Sequence, residues 1–199
     1  MKNKIIAILL ISIFALSLVG CSKNGPEQAV IELFDAMKNT DLEKLSEILD
    51  SDSSEIAEQD TFLKLIKKSN ETLTYKIGEV TIDGDTAVVK VSCTYGDVNK
   101  IFELAMSNYF VKAMEASFSG EEVSDEYFEK ILDEEIIAAL ETTTTEEYST
   151  ELTVDCIKKD GKWAIDTNKD NKELANVFTG NLLKSIESMV SSMESSFDE

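Results

Sequence analysis

The stretch LTYKIGEVTIDGDTAVVKVSCTY, residues 73–95, decides the fold. Apolar and polar residues alternate along it, which is the period of a strand with one buried face. The alternation changes parity at Gly78, which predicts a β-bulge. The chain is predicted to reverse direction at Asp83-Gly84, a dipeptide typical of two-residue hairpin turns. After the turn, one face of the strand carries Ala87, Val89, Val91, Cys93 and Tyr95. The stretch therefore predicts a twisted antiparallel hairpin.

A second hairpin is predicted further along the chain. Its first strand alternates through Leu152, Val154 and Cys156, Asp160-Gly161 forms the turn, and Trp163 and Ile165 follow. The threonine run 142–145 favours pleated structure and is interpreted as the entry to this strand. Between the hairpins, helical spacing predicts helices over 98–118 and 125–141, the second capped by Ser124.

Three helices are predicted before the first hairpin. Pro26 suits the first position of a helix, where a missing N–H is tolerated. Thr40 and Glu43 have the spacing of a capping box that begins a second helix, whose apolar stripe is Leu42, Leu45 and Leu49. A third helix is predicted near residues 55–69.

The last segment, 171–197, is predicted to be one long amphipathic helix. Its stripe consists of Val177, Phe178, Leu182, Ile186, Met189, Val190, Met193 and Phe197. The stripe either packs against the sheet or forms, over 177–197, a docking face for a partner helix or a second copy.

The polar segment before this helix begins like a calcium loop, with oxygen-bearing side chains at Asp166, Asn168 and Asp170. Asn171 then stands where the loop requires glycine, and Val177 where it requires a bidentate glutamate. A polar turn with an N-cap is therefore predicted, and no metal or cofactor is expected.

The composition excludes several functions. The chain has 199 residues, no arginine, no histidine and a formal charge of −20. Such an acidic surface argues against nucleic-acid binding, because phosphates are bound by lysine and arginine. Without histidine there is no Ser–His or Cys–His nucleophile pair. The absence of arginine beside many lysines, asparagines and isoleucines indicates an AT-rich genome, which favours a Gram-positive source.

The N-terminal stretch MKNKIIAILLISIFALSLVGCS, residues 1–22, has two lysines followed by an apolar run over 5–19. This run is shorter than the roughly 20 residues that span a bilayer, so a secretory signal is favoured. Its end, Leu18-Val19-Gly20-Cys21, resembles the lipobox of bacterial lipoproteins. The alternative is an ordinary secretory signal followed by a cysteine unrelated to it.

The resemblance implies that residues 1–20 are removed and that Cys21 carries a diacylglyceryl group, which anchors the chain on the outer face of the cytoplasmic membrane. Without those 20 residues, 17 lysines face 39 acidic residues, a charge of −22. Residues 21–25 would form a tether about 15 to 20 Å long, followed by a single domain over 26–199.

The domain resembles a known fold family. The stretches PEQAVIELFDAMK (26–38) and DLEKL (41–45), followed by the hairpins, look like lipoproteins of unassigned function in the nuclear-transport-factor-2-like superfamily. The resemblance implies an α+β cystatin-like cone. Its curved antiparallel sheet of two hairpins is packed by the N-terminal helices, with a helical pair inserted between the hairpins and a long C-terminal helix.

Members of this superfamily include isomerases, dehydratases and non-catalytic binding modules, and fold alone does not choose among them. The expected function is a non-enzymatic surface lipoprotein that binds an unidentified small-molecule or protein ligand. The alternative is a small-molecule isomerase or hydrolase that uses a carboxylate with Tyr75 or Tyr95 in a cavity. Two inward tyrosines are more often part of an ordinary core.

Cys93 and Cys156 share the parity of their strands' apolar residues. On adjacent strands they could form a disulfide, which an extracytoplasmic location permits. The alternative is two reduced thiols in the core.

Overall fold

The computed structural model of the chain describes residues 25–51, 60–119 and 124–197. The predicted signal 1–20, the lipidation residue Cys21 and the first five residues of the predicted third helix lie outside these ranges.

Helices and strands follow one another in nearly the predicted order. Within the described ranges they are α1 (Pro26–Asn39), α2 (Leu42–Leu49), α3 (Asp60–Asn70), β1 (Thr74–Asp83), β2 (Thr86–Asp97), α4 (Asn99–Phe118), α5 (Asp125–Thr142), β3 (Glu146–Lys159), β4 (Lys162–Ile165), α6 (Lys172–Thr179) and α7 (Leu182–Phe197).

The four strands form one antiparallel sheet in the order β1-β2-β3-β4. The predicted bulge is confirmed, because the β1–β2 register shifts between Ile77 and Val80. Both predicted hairpins are confirmed, and β2 and β3 join them through a long ladder from Thr86 to Asp97. In the β3–β4 turn, Asp160 and Gly161 both have positive φ, which matches the twist of the flanking strands.

One face of the sheet is covered by α1, which crosses all four strands. The inward residues of β2 are buried and alternate with exposed Lys90 and Ser92. From α1, Val30, Leu33 and Phe34 fill the same core. Because one face packs and the other meets water, the polar and apolar positions alternate cleanly.

A second core lies under the inserted helical pair. It joins Leu65 of α3, Ile101 of α4, Ile136 of α5 and Leu182 of α7. This packing gives the helical pair its own support beside the sheet. The predicted α+β class is therefore confirmed, with a curved antiparallel sheet of two hairpins and a helical pair inserted between them.

The predicted capping box at Thr40 is displaced by one residue. Thr40 ends α1 in the left-handed conformation, at φ 49°, and Asp41 is the N-cap of α2. The Asp41 carboxylate accepts a hydrogen bond from Lys44 N at 3.0 Å. The aspartate satisfies the N–H of Lys44, whereas the predicted threonine would have satisfied that of Glu43.

The prediction of one continuous helix over 171–197 is wrong, because the chain breaks into α6 and α7 at Gly180 and Asn181. Both residues are left-handed, at φ 61° and 67°. Gly180 packs so closely that a β-carbon there would lie 2.4 Å from Ser69 Oγ. The Gly180 carbonyl accepts a hydrogen bond from Val98 N at 3.0 Å.

Of the stripe predicted on this segment, Val177 and Leu182 pack into the first and second cores respectively. Leu183 and Val190 are exposed. A docking role for 177–197 stays a prediction.

The disulfide between Cys93 and Cys156 is not formed, and both residues are free and buried. In the β2–β3 register Cys93 pairs with Thr150, while Cys156 pairs with Ala87. Six residues along a strand separate the cysteines by about 20 Å, far beyond the reach of a disulfide. The alternative, two reduced core thiols, is the observed one. Burial raises the pKa of the Cys93 thiol to about 11 and that of Cys156 to about 12.

Gly180→Ala should destabilise the fold much more than Gly161→Ala. Both glycines have positive φ, which costs a side chain about 1 to 2 kcal/mol. A β-carbon at residue 161 meets nothing within 4 Å, whereas one at residue 180 collides with Ser69. In urea unfolding we expect a loss of about 1 to 2 kcal/mol for Gly161→Ala and at least about 3 kcal/mol for Gly180→Ala. Equal losses would show that the helix break is loosely packed.

Both thiols should be slow to react in the folded protein and fast once it unfolds. Thiolates are the reactive species, and burial keeps both groups protonated at pH 8. We expect iodoacetamide, applied in guanidinium without a reductant to the mature chain with Cys21→Ser, to label two cysteines by mass spectrometry. If the two cysteines were labelled only after reduction, they would be joined by a disulfide.

Candidate functional site

An apolar groove of about 620 Å³ opens between α2 on one side and α6 and α7 on the other. Its volume lies within the range of small-molecule sites. Among its buried lining side chains are Leu33 and Met37 of α1 and Val154 and Ile165 of the sheet.

The groove exists because its flanking helices pack on different neighbours. α2 contacts α1 and β4, whereas α6 contacts α3 and β3. On α2, Leu45 is buried, but Leu42 and Leu49 are only half-buried and line the groove. Phe178 of α6 is likewise half-buried on the opposite side. Apolar side chains are thus held in place without filling the space between them.

One end of the groove, which we call the mouth, is bordered by Asp155 of β3 and the segment 166–171. The Asn171 side chain fixes this segment, because it caps α6 by accepting from Leu174 N at 3.0 Å and donates to the Thr153 carbonyl at 2.8 Å. The predicted polar turn with an N-cap is therefore confirmed.

Among the described residues that line the groove, the charged ones all lie at the mouth: Asp155, Asp166, Lys169 and Asp170. Lys169 forms an ion pair with Asp155 at 2.7 Å. Interaction with the Asp155 carboxylate raises the pKa of Lys169. The mouth therefore carries net negative charge, while the interior is apolar.

Tyr75 forms a hydrogen bond with a carboxylate: its hydroxyl donates to Asp35 Oδ1 at 2.7 Å. Asp35 is exposed, and neither residue lines the groove. Burial, followed by the hydrogen bond to Asp35, raises the pKa of Tyr75. The predicted tyrosine–carboxylate pair thus exists, but outside the groove.

Tyr95 is fully buried and has a different partner. Its hydroxyl donates to Asn181 Oδ1 at 2.8 Å, and Asn181 Nδ2 in turn donates to Asp97 Oδ2 at 2.8 Å. Burial raises the pKa of Tyr95. The ordinary-core interpretation describes this residue, because its bonds tie the helix break to the sheet and it is absent from the groove lining.

The residues that form the groove were visible in the sequence only as helix stripes, strand positions and a polar turn. Leu42, Leu45 and Leu49 have the spacing of an amphipathic helix, which predicts burial but gives no sign of a space beside it. The one usable signal was Gly180, because a glycine inside a long apolar stripe commonly ends a helix. Unless a helix end at Gly180 is recognised, the sequence does not show that the apolar stripe of 171–197 is divided between α6 and α7.

The mouth lies near the start of α1. Cys156 Sγ is 3.8 Å from the Pro26 carbonyl, and Asp155 precedes Cys156 on β3. Asp166 N donates to the Asp155 carbonyl at 2.9 Å. The acidic end of the groove and the start of α1 therefore share one end of the sheet.

No helix within the described ranges has the length and hydropathy needed to cross a membrane.

No protein-family model matches the chain, and no curated protein matches it. Two solved structures resemble it. A "putative lipoprotein" from Bacillus subtilis has 13% identity and a TM-score of 0.48 over 79% of this chain and 56% of that one, so the chain spans little more than half of that protein's length. A "putative dehydratase from the NTF2-like family" of Streptomyces avermitilis has 13% identity and a TM-score of 0.32 over 70% of this chain and 87% of that one.

Proposed function

We propose that this chain is a lipid-anchored, non-enzymatic binding protein whose groove receives the apolar part of a small molecule. The observation that supports the proposal is the groove itself, about 620 Å³ in volume and lined mainly by apolar residues.

The groove provides affinity through the hydrophobic effect. Leu42, Leu49 and Phe178 remain partly exposed along its length. A ligand that covers them removes apolar surface from water, which stabilises the complex by about 25 cal/mol per Å². Because the side chains are held by helices packed on the two cores, little ordering is required on binding.

The described lining is suited to binding a molecule rather than to catalysing its conversion. The hydroxyl of Thr179 donates to its own helix, to the Ala175 carbonyl at 2.8 Å. The titratable side chains of the lining lie at the mouth, and Tyr75 with Asp35 lies elsewhere. The apolar interior therefore has no general acid or base from the described lining residues positioned to act on a bound molecule.

The anchor follows from the sequence of residues 18–21 and suits the position of the mouth. A diacylglyceryl group at Cys21, followed by a four-residue tether, would hold Pro26 within about 20 Å of the membrane. Pro26 is next to Cys156, which adjoins the mouth. The groove would then open close to the bilayer surface.

Ala175→Phe should block the groove. Ala175 lines it on α6, and a phenyl ring there would occupy the ligand's space. We expect the mature chain with Cys21→Ser to bind the neutral dye Nile red saturably, and Ala175→Phe to weaken this binding at least about tenfold. The readout is a fluorescence titration.

Ala138→Phe is the matched control, because Ala138 is an exposed residue of α5 outside the groove. It should bind the dye as the unsubstituted chain does. Unchanged binding by Ala175→Phe, or no saturable binding by any of the three proteins, would contradict the proposed site.

The anchor has an independent test. Protein extracted from its own membrane should begin at Cys21 and carry the added mass of acyl chains on that residue. Cys21→Ala should leave the chain unprocessed from Met1, because lipidation of the cysteine precedes cleavage in proteins with a lipobox. A native chain that begins at Met1, or a peptide with unmodified Cys21, would contradict the anchor.

A further inference from the structure

We infer that the groove selects single-chain amphiphiles whose head group is cationic. The inference rests on the proposed binding function and names the chemistry of the ligand. The apolar interior would hold the alkyl chain, and the acidic mouth would hold the positive head.

Two carboxylates at the mouth are available to a ligand. Lys169 forms an ion pair with Asp155 at 2.7 Å and also interacts electrostatically with Asp166, but one lysine cannot balance three carboxylates, so Asp166 and Asp170 together keep a net negative charge. Asp166 Oδ1 accepts hydrogen bonds from the backbone and side-chain nitrogens of Asn168 at 3.2 and 3.1 Å, both from neutral donors. Within the described ranges, Asp170 is exposed and forms no ion pair.

The other nearby lysine does not neutralise this charge. Lys172, at the start of α6, pairs with Glu187 of α7 at 3.1 Å. Glu173 follows it in the first turn of the same helix and adds a further negative charge. A ligand head group at the mouth therefore meets a negative potential, which attracts a cation and repels an anion.

The shape of the site favours a single alkyl chain over a protein helix. The groove is a small-molecule volume with buried side chains from α1 and the sheet at its base. A basic peptide would find the same charges, but an amphipathic helix needs a long open face along which to lie. Apolar burial would supply most of the affinity, and the mouth would supply the discrimination between head groups.

The experiment compares three ligands of equal chain length: decylammonium, decanol and decanoate. Each competes with Nile red for the mature chain, residues 21–199, with Cys21→Ser. At low salt and pH 7 we expect decylammonium to bind at least about tenfold more tightly than decanoate, with decanol between them. In 0.5 M NaCl the preference should shrink to less than about threefold, because salt screens exposed charges.

The double variant Asp166→Asn with Asp170→Asn should weaken decylammonium about fivefold and leave decanol unchanged. Unchanged decanol binding also shows that the variant is folded. The matched control, Glu129→Gln with Asp133→Asn, makes the same change in net charge on exposed residues of α5 and should keep the preference.

The outcomes separate the two proposals. Equal binding of the three ligands, or an equal loss of preference in the α5 control, overturns the inference about charge while the binding function stands. Saturable binding of a basic amphipathic peptide with no binding of decylammonium also overturns it. Failure of all three ligands and of Nile red to bind overturns the binding function itself.

Discussion

The hydrogen bond between buried Tyr95 and Asn181 is the interaction on which the arrangement of the molecule depends. Tyr95 lies near the end of β2, and Asn181 lies at the break between α6 and α7. The bond connects the sheet to the last helix across 86 residues of sequence. Asn181 also donates to Asp97, and the adjacent Gly180 carbonyl accepts from Val98. A buried hydroxyl or amide without such partners would be costly, so this network fixes where the helix can break.

The two cores meet at this break. Val177, before it, packs with the sheet and α1, whereas Leu182, after it, packs with the helical pair α4 and α5. A continuous helix would keep one straight axis and could not serve both cores in this way. The close contact of Gly180 with Ser69 brings α3 to the same point. The C-terminal segment therefore links two packed units that the sequence places far apart.

The groove is a consequence of the same geometry. Because α6 turns into α7 at Gly180, its apolar side chains face α2 without contacting it closely enough to fill the gap. Leu174 and Phe178 come from one side of the break, and Leu182 and Ile186 from the other. The charged mouth is set by a separate feature, the capping of α6 by Asn171, which holds the segment 166–171 against β3. The helix break thus sets the apolar interior of the groove, and the capping of α6 sets its acidic mouth. A single ligand would contact both.

Local periodicity and turn chemistry were enough to predict the strands, the bulge at Gly78, both hairpin turns, most helices and the α+β class. The parity of Cys93 and Cys156 correctly predicted burial, but not whether they meet, because parity gives the face of a strand while register gives the position along it. Tyr75 and Tyr95 show the same limit: their inward direction was predictable, but their partners, Asp35 and Asn181, were not. Local patterns did not predict the helix break, the groove or the position of its mouth, because each depends on contacts between residues distant in sequence. A local pattern records that a leucine is apolar, whereas the helices around it decide whether it ends in a core or beside an open space.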